Sequence, residues 1–383
     1  MKHKFPIYFV LLLFIVGACI NPIDNFQQIA YKSFLTVDAS ISNEPGPYRI
    51  SVSYSSEKIA GGYFAGVKKA KVYVTDERGG NYVFTESSLA REAGIYRSGS
   101  NFIGRVGGTY ILHIDLADGK KYQSTPETMK PVPAIENLIT QFDVQSQYPL
   151  GDSRRAGFNI FLDFQDPATE GDNYLWSWRH YERAPICATC YGGGRYNFTT
   201  LACEYPRTPS DAVTSYKCDG NCWNVSYSTD LNLFTDSYLN GKRVTGKKVA
   251  RVPFDGFNPY YLALEQRGLT KNSYNYYNFL TSQIQNNGTL FDVSAETQFS
   301  INIKSTTNPD EKILGIFDVY SVAKKIFYIQ RDGDSKGELP IVKGIPGSIY
   351  SCPPGSPSTC KENVVCEDSP SRTPFKPEGW QDL

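Results

Sequence analysis

Along most of the chain apolar and polar residues alternate one by one instead of recurring every three or four positions. That is the pattern of strands with one face in a core and the other in water. It is clearest over 109–116, where Tyr110, Leu112, Ile114 and Leu116 alternate with Ile111, His113 and Asp115. Similar runs predict strands at 34–41, 48–54, 70–75, 82–85 and 122–124, and Gly79-Gly80 and Asp118-Gly119 supply the positive φ of tight hairpins between them. Short strands, turn signals and no long helix over 34–130 predict an Ig-like or transthyretin-like β-sandwich.

Pro131-Val132-Pro133 reads as a linker, because each proline removes a ladder donor and holds its predecessor extended. A larger β-rich domain is expected over 131–330. In it Phe158, Ile160, Leu162 and Phe164 alternate with Asn159, Phe161 and Asp163, an aromatic strand follows at 173–180, and further strands are predicted at 223–228, 231–234, 244–252, 298–304, 313–319 and 325–330. One helix is predicted between Ser273 as N-cap and Gly288 as the residue past its end, with Tyr277, Leu280 and Ile284 at helical spacing. Residues 184–222 break the pattern with five cysteines and Gly192-Gly193-Gly194, and read as a disulfide-pinned insertion. The stretch 331–383 is a tail rich in Pro, Gly and Ser. The fold class expected from all this is mainly β.

The first residues follow a different pattern. Lys2, His3 and Lys4 precede an apolar run from Ile7 to Val16, which ends in Gly17-Ala18-Cys19. The run is too short for a membrane span, which needs about 20 apolar residues in a helix. A charged start, a short apolar stretch and a small-residue exit form a secretory signal, and the cysteine directly after Gly-Ala resembles the site read by lipoprotein signal peptidase. We expect removal of 1–18, acylation of Cys19 with diacylglyceryl and N-acyl (palmitate) chains that insert in membrane lipid, and a tether over 19–33.

Composition narrows the partners. With 39 basic and 39 acidic residues there is no field to hold a nucleic acid. The 27 tyrosines and 22 phenylalanines favour pleated surfaces. Apart from Cys19, eight cysteines remain: Cys187, Cys190, Cys203, Cys218 and Cys222 in the insertion, and Cys352, Cys360 and Cys366 in the tail. In an oxidising compartment an even set reads as disulfides. Both groups are odd in number, so if all eight pair within the chain an odd number of bridges staples the tail to the second domain.

Candidate chemistry is sparse. Cys187, Cys190, Cys218 and Cys222 could supply four thiolates, but not at the spacing of a zinc ribbon, so disulfides are expected and no metal. Asp332, Asp334 and Glu338 fall short of a calcium loop because Lys336 stands where an oxygen ligand belongs. Asp166, Glu170 and Asp172 read as an ordinary loop between strands. His113 is expected to face solvent and His180 to be a satisfied structural histidine. No nucleophile elbow, zincin pair or phosphate loop is present, so neither catalytic residues nor a cofactor are expected. The aromatic residues Tyr174, Trp176, Trp178, Tyr181, Tyr191, Tyr196 and Trp223 around the insertion are the candidate recognition face, with core packing as the competing use.

Three stretches, Phe34-Leu35-Thr36-Val37-Asp38-Ala39-Ser40-Ile41-Ser42-Asn43-Glu44-Pro45-Gly46-Pro47-Tyr48, Val72-Tyr73-Val74-Thr75-Asp76-Glu77-Arg78-Gly79-Gly80 and Val319-Tyr320-Ser321-Val322-Ala323-Lys324-Lys325-Ile326-Phe327, together with the lipid site, resemble the Bacteroidota lipoprotein family designated only as domain of unknown function 4249. The resemblance implies an outer-membrane lipoprotein associated with a TonB-dependent receptor. It points to a non-enzymatic accessory or binding partner of that receptor. A structural subunit of a larger envelope assembly is the alternative, and an extracytoplasmic hydrolase a weaker one. The acidic run that sends many such lipoproteins to the cell surface is reduced here to Asp24.

Overall fold

The computed structural model describes residues 33–55, 65–144, 156–183, 222–285, 298–331 and 368–382, with parts of 186–217. The signal segment, Cys19 and nearly all of the tether, Tyr191, Cys218, Gly288, the Asp332–Glu338 loop and Cys352, Cys360 and Cys366 lie outside the described residues. Within them the chain is mainly β, with one α-helix.

The first half contributes β1 (Leu35–Ser42), β2 (Arg49–Tyr54), β3 (Lys71–Asp76), β4 (Asn81–Glu86), β5 (Ile95–Arg97), β6 (Thr109–Asp115) and β7 (Lys121–Ser124). Then come β8 (Asn137–Asp143), β9 (Gly157–Gln165), β10 (Asn173–Arg183), β11 (Trp223–Tyr227), β12 (Asn232–Thr235), β13 (Arg243–Pro253) and β14 (Tyr260–Leu269). After the helix α1 (Lys271–Gln285) follow β15 (Ile303–Ser305), β16 (Ile313–Ile329) and β17 (Arg372–Thr373). One sheet runs in the order β15-β7-β6-β3-β4-β5-β2-β1-β16-β14-β10-β11-β17, and a three-stranded sheet runs β8-β9-β13.

Alternation builds two cores. Leu35, Val37, Ala39 and Ile41 of β1 meet Val72 and Val74 of β3 and Leu112 and Ile114 of β6, so the long sheet curls until strands far apart in its order share one interior. The second core lies between the two sheets, where Phe158, Ile160, Leu162 and Phe164 of β9 pack on Tyr174 and Trp176 of β10 and Leu262 and Leu264 of β14.

Both cores use β16. Ile313–Tyr320 pairs in parallel with β1, and Ser321–Ile329 pairs antiparallel with β14. Sequence reading expects two strands here, 313–319 and 325–330, but one strand runs through from Ile313 to Ile329. Each polar side chain has a local partner: Ser321 Oγ donates to Lys130 O at 2.5 Å, Lys324 Nζ meets Glu44 Oε2 at 2.8 Å, and Lys325 Nζ reaches Glu136 O at 2.7 Å. A single boundary near residue 130 must also be corrected, because Ile303, Ile313, Phe317 and Val319 return to the first core.

The helix starts one turn earlier than its expected cap. Thr270 Oγ1 accepts from Ser273 N at 3.2 Å, so Thr270 is the N-cap and Ser273 sits in the first turn. Strand β8 was not anticipated, since Leu138 and Phe142 face inward while Ile139 is 49% exposed and blurs the alternation. In the insertion Ile186–Cys190 pairs with Thr214–Lys217, Arg195–Asn197 pairs with Ala202–Glu204, and a disulfide joins Cys190 to Cys203. Cys222 is buried and also disulfide-bonded. The last residues dock on the second half: β17 pairs with β11, Tyr261 donates its hydroxyl to Glu378 O at 2.8 Å, and Trp380 lies 5.9 Å from Trp223 and 5.7 Å from Tyr261.

Gly315 lets β16 lie against β1. Its φ is +93°, and a Cβ there would stand 1.9 Å from Val37 O. Gly315→Ala combines an unfavourable backbone conformation with a collision against backbone, and should cost more than about 2 kcal/mol. The expected outcome is a lower denaturant midpoint with an unchanged slope.

Candidate recognition site

The seven aromatic residues divide between the two faces of their strands. Tyr174 and Trp176 point into the second core and are 0% and 1% exposed, with Trp176 Nε1 donating to Gln266 Oε1 at 2.9 Å. Trp178 packs half-buried against the same core. Trp223, 1% exposed, packs against Trp380, and Tyr181 stands edge-on to Tyr261 at 5.4 Å. Tyr174, Trp176 and Trp223 are therefore core residues, which corrects their place in the candidate recognition face. Tyr174, Trp176 and Trp178 stand two residues apart, so period-2 alternation turns all three to the inner face of β10, and the tail covers part of the outer face. The side chains of Tyr191, Tyr196 and Cys187 lie outside the described residues. Exposed rings occur instead at Tyr238 and Phe375, 90% and 68% exposed, where no periodicity marks them.

The histidines have structural partners. His180 Nδ1 lies 2.8 Å from Tyr261 O, and its ring stacks on Tyr260 at 3.6 Å. His113 is half-buried instead of solvated, because Tyr73 stacks on it at 4.6 Å and Thr75 Oγ1 lies 2.9 Å from Nε2. Burial holds its pKa below the ordinary value, against the opposing field of Asp115.

A slot of about 600 Å³ opens where the two sheets of the second half meet, between β8 and the end of β16. Leu138, Ile139, Thr140, Phe327, Tyr328 and Ile329 are among its lining residues. Among the described residues β8 pairs only with β9, and β16 beyond Tyr320 pairs only with β14. The Asn43 side chain extends the β1 ladder by one step, accepting from Val322 N at 2.7 Å. Every second residue beyond it turns its backbone groups toward the slot. Lys325 closes one end by donating to Ile135 O and Glu136 O at 3.2 and 2.7 Å. Glu136, Asn137, Asp163 and Gln330 also line the slot, so its floor is mixed polar and apolar, and two unpaired strand edges beside it suit an extended polypeptide.

A second polar constellation ties α1 to β16. The Asp318 carboxylate is buried and accepts from Ser273 Oγ at 2.6 Å and Tyr277 OH at 2.9 Å. Burial pushes its pKa up, and the two donors and Arg267 offset only part of that. Nearby Glu265 is raised by burial but held below the ordinary value overall by Arg179 and Arg267, both of which pair with it. Arg267 also covers the Tyr320 ring at 4.6 Å.

The loop holding Asp166 and Asp172 is more than an ordinary turn. It meets a loop carrying Asp236, distant in sequence, and all three carboxylates are at most 2% exposed. Asp166 Oδ1 accepts from Tyr174 OH at 2.8 Å and Oδ2 from Gly241 N at 3.1 Å, while Asp236 Oδ2 accepts from Gly171 N at 3.0 Å. Burial, with Asp166 and Asp236 nearby, pushes the Asp172 carboxyl up. Sequence spacing gave no signal for Asp236, since only the fold brings the loops together.

Asp318 has a pH consequence. Its pKa in the folded chain lies above the unfolded value, so its contribution to stability is complete below about 4 and is lost as pH rises through the folded value. Asp318→Asn carries no titrating proton. The gap between wild-type and variant denaturant midpoints should therefore shift in favour of the variant between about pH 4 and pH 7.

A search of curated proteins finds no match to the chain. The family model described as Domain of unknown function (DUF4249) matches residues 21–326, and the chain belongs to that family.

Proposed function

We propose that this protein is a non-enzymatic lipoprotein of the outer membrane, held by acyl chains on Cys19, that serves as accessory or binding partner of a TonB-dependent receptor. The charged start, ten-residue apolar run and Gly17-Ala18-Cys19 exit support the anchor. The Cys190–Cys203 disulfide fits an oxidising compartment. The observation that carries the binding role is the slot between β8 and β16, where two unpaired edges offer backbone hydrogen bonds, and a mixed polar and apolar floor offers contact area, to an extended receptor segment.

Two experiments test this reading. Cys19→Ser should move the protein from the membrane fraction to the soluble extract, read by immunoblot; retention in the membrane would contradict the anchor. Tagged full-length chain, extracted in mild detergent from its native outer membrane, should recover one TonB-dependent receptor in near-equal amount by mass spectrometry. Ile139→Lys places a charge on an exposed edge residue and should reduce that recovery at least about tenfold without changing the melting temperature. Recovery of a many-membered envelope complex, or of no partner, would contradict the receptor role.

A further inference from the structure

We propose that the loops 166–172 and 236–241 form a binding site for a hard divalent cation of the size of calcium, with Asp172, Asp236 and Asn240 as side-chain ligands. Three oxygens carry the inference. Asp172 Oδ2, Asp236 Oδ1 and Asn240 Oδ1 are all buried and none has a hydrogen-bond partner. The two aspartates are 2% and 1% exposed, so bulk water does not satisfy them. All three are acceptors when the acids are ionised, and together they require a donor or a cation.

The two loops are already fixed against each other. Asp236 N donates to Asp172 O at 3.0 Å, and Asp236 Oδ2 accepts from Gly171 N at 3.0 Å, which brings the two aspartates side by side. Leu239 N donates to Asp236 O at 2.6 Å and Gly241 N to Pro167 O at 3.1 Å, so Asn240 belongs to the same turn. The third carboxylate is committed elsewhere. Both oxygens of Asp166 are used, one by Tyr174 OH and one by Gly241 N. Accordingly, among the described residues no three His, Cys, Asp or Glu side chains are arranged as a metal-binding group. Calcium does not need one, since its ligand sets mix carboxylate, amide and backbone carbonyl oxygens at six to eight positions.

The charge balance points the same way. No ion pair with Lys or Arg involves Asp172 or Asp236 among the described residues. Gly171 N bonds one oxygen of Asp236, and Thr169 and the nearby Lys130 offset part of the burial cost at Asp172, but one buried oxygen of each acid and the Asn240 oxygen are left without a donor. A divalent cation neutralises both carboxylates at once. The site requires nothing of the receptor-partner reading.

The test uses the full chain in detergent, stripped with EGTA and titrated with calcium chloride while thermal unfolding is followed. The expected result is a saturable rise of about 5 °C or more, half complete near the 0.1–1 mM range of extracellular calcium modules, with a smaller effect from magnesium. Terbium bound in the same site should luminesce on tyrosine excitation, because the Tyr174 hydroxyl is bonded to Asp166 in the same loop pair, and calcium should displace it. Asp172→Asn and Asp236→Asn should each weaken both responses at least about tenfold. If either variant fails to fold, the wild-type titrations decide. Absence of a saturable response in the wild type, or an undiminished response in folded variants, would overturn the site.

Discussion

The fold depends on one strand being shared by two interiors. At about 3.3 Å per residue, the 17 residues of β16 span roughly 55 Å, enough to leave the first core and cross the second. Its first half is fixed by the parallel ladder to β1, and its second by the antiparallel ladder to β14. Neither half of the molecule can lose β16 without exposing apolar residues of both cores. Ile313, Phe317 and Val319 belong to one core and Ile329 to the other.

The changeover near Tyr320 is where polar groups concentrate. Asp318 takes hydrogen bonds from the first turns of α1, Ser321 binds the carbonyl of Lys130 in the segment joining the halves, and Asn43 continues the β1 ladder onto Val322. Each of these is a buried or half-buried hydrogen bond whose loss would leave an unpaired group, so they fix the register at the crossing more than they add to net stability. Beyond the crossing, the same strand has one edge without a neighbour among the described residues. The shared strand therefore both joins the cores and leaves open the slot proposed for recognition.

Much of this was legible in the sequence, and the failures have physical causes. Alternation at 109–116 and 158–164 located strands whose inward residues are the observed core, and the turn glycines Gly79 and Gly119 adopt positive φ as expected. Pattern reading treats each strand in isolation, so it leaves a gap over 320–324 that holds Ser321 and Lys324, whose partners lie 191 and 280 residues away. It missed β8 because Ile139 lies on the exposed side. It took Ser273 for the cap because Ser and Thr are equivalent there by type, while Thr270 has the geometry. The aromatic residues marked a region but not a face. Asp236 could not be joined to Asp172 by any spacing, because the contact is created by β12 folding beside β10.

The central claim is that the two cores form one cooperative unit through β16, and native-state hydrogen exchange in increasing denaturant tests it most directly. With the disulfides intact, the amides of β1 near Val37 and those of β14 near Leu262 should converge on the same opening free energy and the same denaturant dependence. If the β1 amides open in a separate transition at lower denaturant while those of β14 remain protected, the halves unfold independently and the account is wrong.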